Sequence, residues 1–167
     1  MSLTSYKTGI AVVSTTLADL GSGTDFVPGH IRYEHGKEYM LCLSGGTIPD
    51  GYAAAPDISL TAAASALVFV TANATAATSG VWCINNTGAS IATATYFWGL
   101  VKGIGYGYCD TAGTITGGIA VCVEGTAGEL MQRTDSKNCG VALATIAADT
   151  TGVCYFDCSN HDFLMLA

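Results

Sequence analysis

The chain has 167 residues, of which 50% are hydrophobic and only 11% charged, and 21 are glycine. That length fits one domain with a sizeable core, and the composition excludes a disordered chain and a coiled coil, both of which are rich in charge. The net charge is −7, and the basic residues are scattered at positions 7, 32, 37, 102, 133 and 137, so no phosphate-binding stripe and no nucleic-acid partner is expected.

In chain order, Thr8 to Leu20 reads as a strand followed by a short turn, and Gly21 to Asp25 as a loop. Ile31 to Glu34 and Glu38 to Leu43 flank His35-Gly36-Lys37 and read as a β-hairpin. In its second arm Tyr39, Leu41 and Leu43 share one face, while Glu38, Met40 and Cys42 share the other. Gly45 to Pro56 reads as loop, with Pro49-Asp50-Gly51 as its turn. Thr61 to Ala66 is alanine-rich and reads as a short helix or loop, followed by a strand at Leu67 to Val70.

Val81 to Ile84 is a short strand, and Ser90 to Val101 a longer β-rich run containing Tyr96, Phe97 and Trp98. Gly103 to Tyr108 alternates glycine with Ile104, Tyr106 and Tyr108, which as a strand puts glycine on one face and large residues on the other. Gly118 to Glu124, Val141 to Ala147 and Gly152 to Cys158 complete the set. Short strands with turn signals at roughly ten-residue spacing predict an all-β fold, a sandwich or barrel of short antiparallel strands with at most one or two short helices. Residues 1–167 read as a single β-rich domain, with 58–90 set apart as an arm or insertion. No exact internal repeat is visible, which disfavours a solenoid or propeller.

Between Asp57 and Lys102 there is no Asp, Glu, Lys, Arg or His. Its most apolar part, Ala62 to Ala72, is too short and too interrupted to span a bilayer. Residues 1–7 lack the apolar core of a secretory leader. The segment is therefore expected in the core or against another subunit, and the charged hairpin Ile31 to Glu38 is expected to face solvent or a polar rim. The seven cysteines, 42, 83, 109, 122, 139, 154 and 158, sit largely in apolar runs and read as reduced core thiols.

Sites for chemistry are sparse. Gly103-Ile104-Gly105 is followed by Tyr108 where a dinucleotide fingerprint needs glycine. His30 and Glu34-His35 have one residue too many for a zinc motif, and residues five apart on a strand face opposite sides. Cys154, Cys158 and His161, with Cys139, form the better zinc candidate, but Cys154 and Cys158 on one strand lie about 13 Å apart. His161-Asp162 near a cysteine lacks any nucleophile elbow. Glu34 and Glu38 read as solvent-facing charges, and the sequons at Asn73 and Asn85 as chance matches. No catalytic, cofactor-binding or metal residue is assigned. The run Tyr96-Phe97-Trp98 reads as core or subunit contact, with sugar stacking as the alternative, and a glycan-binding module would expose an aromatic patch at Trp98 or Tyr106.

The runs Gly99 to Gly103, Gly118 to Val123, Gly125 to Leu130, Cys139 to Ala144 and Thr151 to Phe156 resemble the glycine-punctuated β-modules of small bacteriophage capsid decoration, or cement, proteins. The seven cysteines and the Ala/Thr-rich stretch Leu60 to Ala94 depart from that style. The resemblance implies a non-enzymatic homotrimer, made in the host cytoplasm, bound to the major capsid protein on the outer shell of the virion. A receptor- or glycan-binding head fibre or tail component is the alternative.

Overall fold

The computed structural model describes residues 14–15, 28–57, 68–72, 80–123, 128–132 and 139–158. The predicted helix or loop at Thr61 to Ala66 lies outside them. Among the described residues there is no helix, and the fold is all-β, as the strand spacing predicts. The strands are β1 (Ser14–Thr15), β2 (Ile31–Glu34), β3 (Lys37–Ser44), β4 (Ala53–Pro56), β5 (Val68–Thr71), β6 (Cys83–Ile84), β7 (Tyr96–Tyr108), β8 (Ala120–Val123), β9 (Leu130–Gln132), β10 (Gly140–Ala142) and β11 (Thr151–Asp157).

The predicted hairpin forms, with β2 antiparallel to β3 and Glu34 opposite Lys37. His35 and Gly36 both have positive φ, 50° and 74°, the conformation of a primed two-residue turn whose twist matches the strands it joins. Met40 and Cys42 enter the core from β3 opposite Gly99 and Phe97. Leu41 and Trp98, paired to each other, face the other way.

Hydrogen bonding closes the sheet twice. The circuit β3–β5–β4–β6–β7 returns to β3, because β3 pairs with both β5 and β7. A second circuit, β7–β11–β10–β8–β9, returns to the end of β7 through a parallel bridge between Cys109 and Leu130. The long β7 belongs to both rings. The interiors join in one core, with Phe69 and Phe97 from the first ring and Leu130, Val121 and Phe156 from the second.

The two rings are copies of one design. Ser44 steps to Phe69 in parallel as Cys109 steps to Leu130. Ile48 bridges Ile91 as Ile115 bridges Ile146, and all four are buried. Gly51 N–H donates to Asn85 O and Asn85 N–H to Tyr52 O, as Gly118 N–H donates to Ala142 O and Ala142 N–H to Ile119 O. The Ser44 N–H meets the Thr95 carbonyl as the Cys109 N–H meets that of Thr150. Ala94 and Asp149, each next to those threonines, both have φ of 58°. In sequence only fragments survive, Gly46-Thr47-Ile48 with Gly51 against Gly113-Thr114-Ile115 with Gly118, which explains why no exact repeat is visible. Few residues have to match, because the pattern is carried by backbone pairing.

Other expectations change in detail. Ala53 to Pro56 is the end of the predicted loop, yet it forms β4, fully buried between β5 and β6. Leu130 to Gln132, outside every predicted strand, forms β9. The Ser90 run becomes strand only at Tyr96 and continues to Tyr108, so two predicted runs are one strand. The charge-free segment buries Phe69, Ala72, Cys83, Ile84 and Phe97 to Val101, while its turns at Gly88 to Ser90 and Ala92 to Ala94 are exposed. The hairpin charges differ from expectation. Arg32 and Glu34 form an ion pair with side chains only 20% and 16% exposed, because the guanidinium lies over the Trp98 ring, 4.8 Å from its centroid.

The duplicated turn glycines give a direct test. Gly51 and Gly118 have φ of 78° and 84°, where a side chain is strained. A Cβ at 118 meets nothing, whereas one at 51 lies 2.9 Å from the Tyr108 backbone nitrogen. Gly118→Ala should lower stability by about 1–2 kcal/mol, and Gly51→Ala by clearly more, measured by denaturant unfolding. Equal losses would mean that β7 yields freely at Tyr108.

Candidate functional site

The outer side of the second ring carries a continuous apolar face. In an antiparallel ladder, directly opposed residues point to the same side. Ile104 is opposite Tyr155, Tyr106 opposite Val153, Tyr155 opposite Val141, and Val141 opposite Ala120. Their neighbours in sequence, Gly103, Gly105, Gly107, Cys154, Phe156, Ala142 and Val121, point into the ring and are buried. Leu143 extends the face, its N–H donating to the Val153 carbonyl. Tyr106 is 56% exposed, Ile104 52% and Leu143 51%, with Tyr155 and Val141 each above a third. The Lys102–Asp157 ion pair, 2.9 Å, borders the face where the β7–β11 pairing ends, at the middle of β7.

The first ring shows the same side covered. Counting from the parallel step at Ser44 and Cys109, Leu41 occupies the place of Tyr106. Counting from Thr95 and Thr150, Trp98 occupies that of Val153. The pairing agrees, Leu41 with Trp98 and Tyr106 with Val153. Yet Leu41 is fully buried and Trp98 8% exposed. Arg32 lies on Trp98 and 5.9 Å from the centre of the Tyr39 ring, with Glu34 neutralising its charge.

A polar cluster sits where the rings meet. Tyr52 and Tyr108 stack, with centroids 5.1 Å apart. The Tyr52 hydroxyl donates to Glu129 at 2.7 Å, and the Tyr108 hydroxyl donates to Asp149. Burial, then the bond and charge of Glu129, push the Tyr52 phenol far above its ordinary 10.0. The hydrogen bond to Asp149, followed by desolvation, raises Tyr108 to about 12. Both phenols therefore stay neutral donors, and the cluster acts as a clamp: Gly51–Tyr52 comes from the first ring, Glu129 and Asp149 from the second.

The remaining candidates from the sequence are dispersed. His30 and His35 are exposed, and His35 Nδ1 lies 3.7 Å from Glu34. Glu34 is therefore not the solvent-facing charge expected of it; it turns inward with Arg32. Cys139 and Cys158 come together, the Cys158 Sγ 3.9 Å from the Cys139 carbonyl. His161 and the Asn73 sequon lie outside the described residues. Asn85 is fully buried, its amide donating to the carbonyls of Ile48, Pro49 and Ala89, which leaves no access for glycosylation of the folded chain. Trp98, one of two residues proposed for an exposed aromatic patch, lies under Arg32; Tyr106, the other, is exposed. The face was legible in part: the Gly103 to Tyr108 alternation marks the β7 side, but only the pairing adds Tyr155, Val141 and Leu143. No family model matches the chain, and neither does any curated protein or solved structure.

The clamp predicts a pH dependence. Tyr108 has a raised folded-state value, so its contribution to stability is complete below the unfolded value near 10 and is lost as pH rises from there through about 12. Unfolding midpoints should fall across that window. Tyr108→Phe should flatten the fall, and tyrosinate absorbance should show this ring ionising late. An unchanged profile in the variant would mean that the Asp149 bond does not hold in solution.

Proposed function

We propose that this chain is a structural virion protein of the capsid-decoration type, with no catalytic role, which self-associates through the uncharged outer face of its second ring. The observation that carries the reading is that face: Ile104, Tyr106, Val141, Leu143 and Tyr155, exposed in a chain only 11% charged. Interface centres are depleted in charge and enriched in tyrosine. Copies that each carry a net charge of −7 repel overall, and a face without charge lets them meet with the least like-charge contact. The glycine-punctuated β-strands resemble those of cement proteins, in which a homotrimer sits on the major capsid protein at the outer shell. Two closed rings fused along one strand suit a load-bearing clip, because nearly every strand is paired on both sides.

A second reading has its own observation. The Tyr106 and Tyr155 rings stand exposed on one sheet face, as stacking platforms for sugars do, which supports a receptor- or glycan-binding fibre component.

Light scattering on the purified chain should find a stable oligomer that adds to emptied capsids at high, symmetric copy number. Tyr106→Glu should shift the oligomer to monomer by tenfold or more while leaving the circular dichroism spectrum unchanged. A monomeric wild-type chain with no shell affinity would overturn the structural reading. Glycan-array binding lost in Tyr106→Ala would favour the second.

A further inference from the structure

The interior of the first ring holds a pair of thiols that the assembly role does not use. Cys42 on β3 and Cys83 on β6 are both fully buried, and their Sγ atoms stand 3.6 Å apart. The two strands flank β7 on opposite sides. In a flat sheet, strands two places apart are separated by roughly 10 Å, so it is ring closure that curls these together. Gly99 on β7 supplies the space. A Cβ at that position would collide with the Cys83 Sγ and lie 2.8 Å from the Cys83 Cβ. Four of the other thiols, Cys109, Cys122, Cys139 and Cys158, bond carbonyls, those of Gly113, Met131, Val121 and Cys139. Cys42 also reaches the Met40 carbonyl at 3.4 Å, which holds its sulfur at the meeting point.

We propose that Cys42 and Cys83 are a modification site, forming an intramolecular disulfide that ties β3 to β6 inside the first ring when the protein meets an oxidising environment. The oxidant is a low-molecular-weight disulfide. One cysteine thiolate attacks it, forming a mixed disulfide and expelling one small thiolate. The second cysteine thiolate then attacks the protein-bound sulfur, the Cys42–Cys83 bond forms, and the second small thiolate leaves. Two electrons pass from the protein to the small disulfide, and the two thiol protons end on the released small thiols. To form the bond the sulfurs close from 3.6 Å to about 2.05 Å. The hydrogen bond with Cys42, then burial, hold the Cys83 thiol well above its ordinary value, so the closed ring presents little thiolate. The exchange therefore proceeds as the ring opens or before it closes, and the bond, once sealed inside, is protected from reductant.

The experiment refolds the full-length chain in a mixture of oxidised and reduced glutathione, then alkylates it under denaturing conditions. The expected product has five alkylated thiols of the seven, weighs two alkyl groups less than the reduced chain alkylated in the same way, carries no glutathione adduct, and yields a Cys42–Cys83 linked peptide in mass mapping. Its thermal midpoint should exceed that of the reduced chain by on the order of 10 °C. Cys139→Ala should keep the cross-link and Cys42→Ala should lose it. Seven free thiols after refolding, or a linked peptide joining any other pair, would overturn the proposal. Because the first measurement uses the wild-type chain, a variant that fails to fold leaves the result standing.

Discussion

Strand β7 is hydrogen-bonded into two closed circuits at once, and almost everything else follows from that sharing. Its first half pairs with β3 and touches β6; its second half pairs with β11 along seven residues. A five-strand ring of short strands has little interior, and strands of two to four residues have few hydrogen bonds of their own. Fusing two rings along a thirteen-residue strand gives each the other as a wall and makes one continuous core of both. Closure also removes most of the sheet edges through which such strands aggregate.

The sharing imposes a steric demand on β7 and the strands facing it. A Cβ at Gly107 would collide with the Leu130 side chain, at Gly105 with that of Leu100, and at Gly140 with the Tyr155 carbonyl. The glycines on these strands thus answer to the close approach of their neighbours, while others, such as Gly36 and Gly118, serve turns with open space at the Cβ position. The Tyr52–Tyr108 stack, with Glu129 and Asp149 accepting from the two hydroxyls, then fixes the rings at their junction with groups that remain uncharged donors near neutral pH.

Duplication supplies an internal comparison for the outer face. The same outer position is buried in one copy, under a guanidinium whose charge Glu34 neutralises, and bare in the other, as Tyr106 beside Val153. The fold does not require that face to be exposed or apolar, since the first ring covers it. On the function proposed above, the exposed tyrosines and aliphatics meet another protein surface, and the lack of charge among them suits that better than a polar solute.

The sequence by itself determined the all-β class, the His35-Gly36 hairpin with its two faces, and the alternation from Gly103 to Tyr108, because turn chemistry and period-two patterning act over a few residues. It also marked the charge-free segment that supplies much of the first core. What it left open were the features made by contacts between distant residues. Ala53 to Pro56 has no strand signal of its own, and becomes one because β5 and β6 lie on either side. Arg32 reads as a solvent charge until Trp98 is beneath it. The duplication rests on backbone hydrogen bonds that many side chains satisfy, so its sequence trace has nearly vanished. The outer face and the Cys42–Cys83 contact exist only once ring closure has brought separate strands side by side, a matter of tertiary geometry that local preference does not encode.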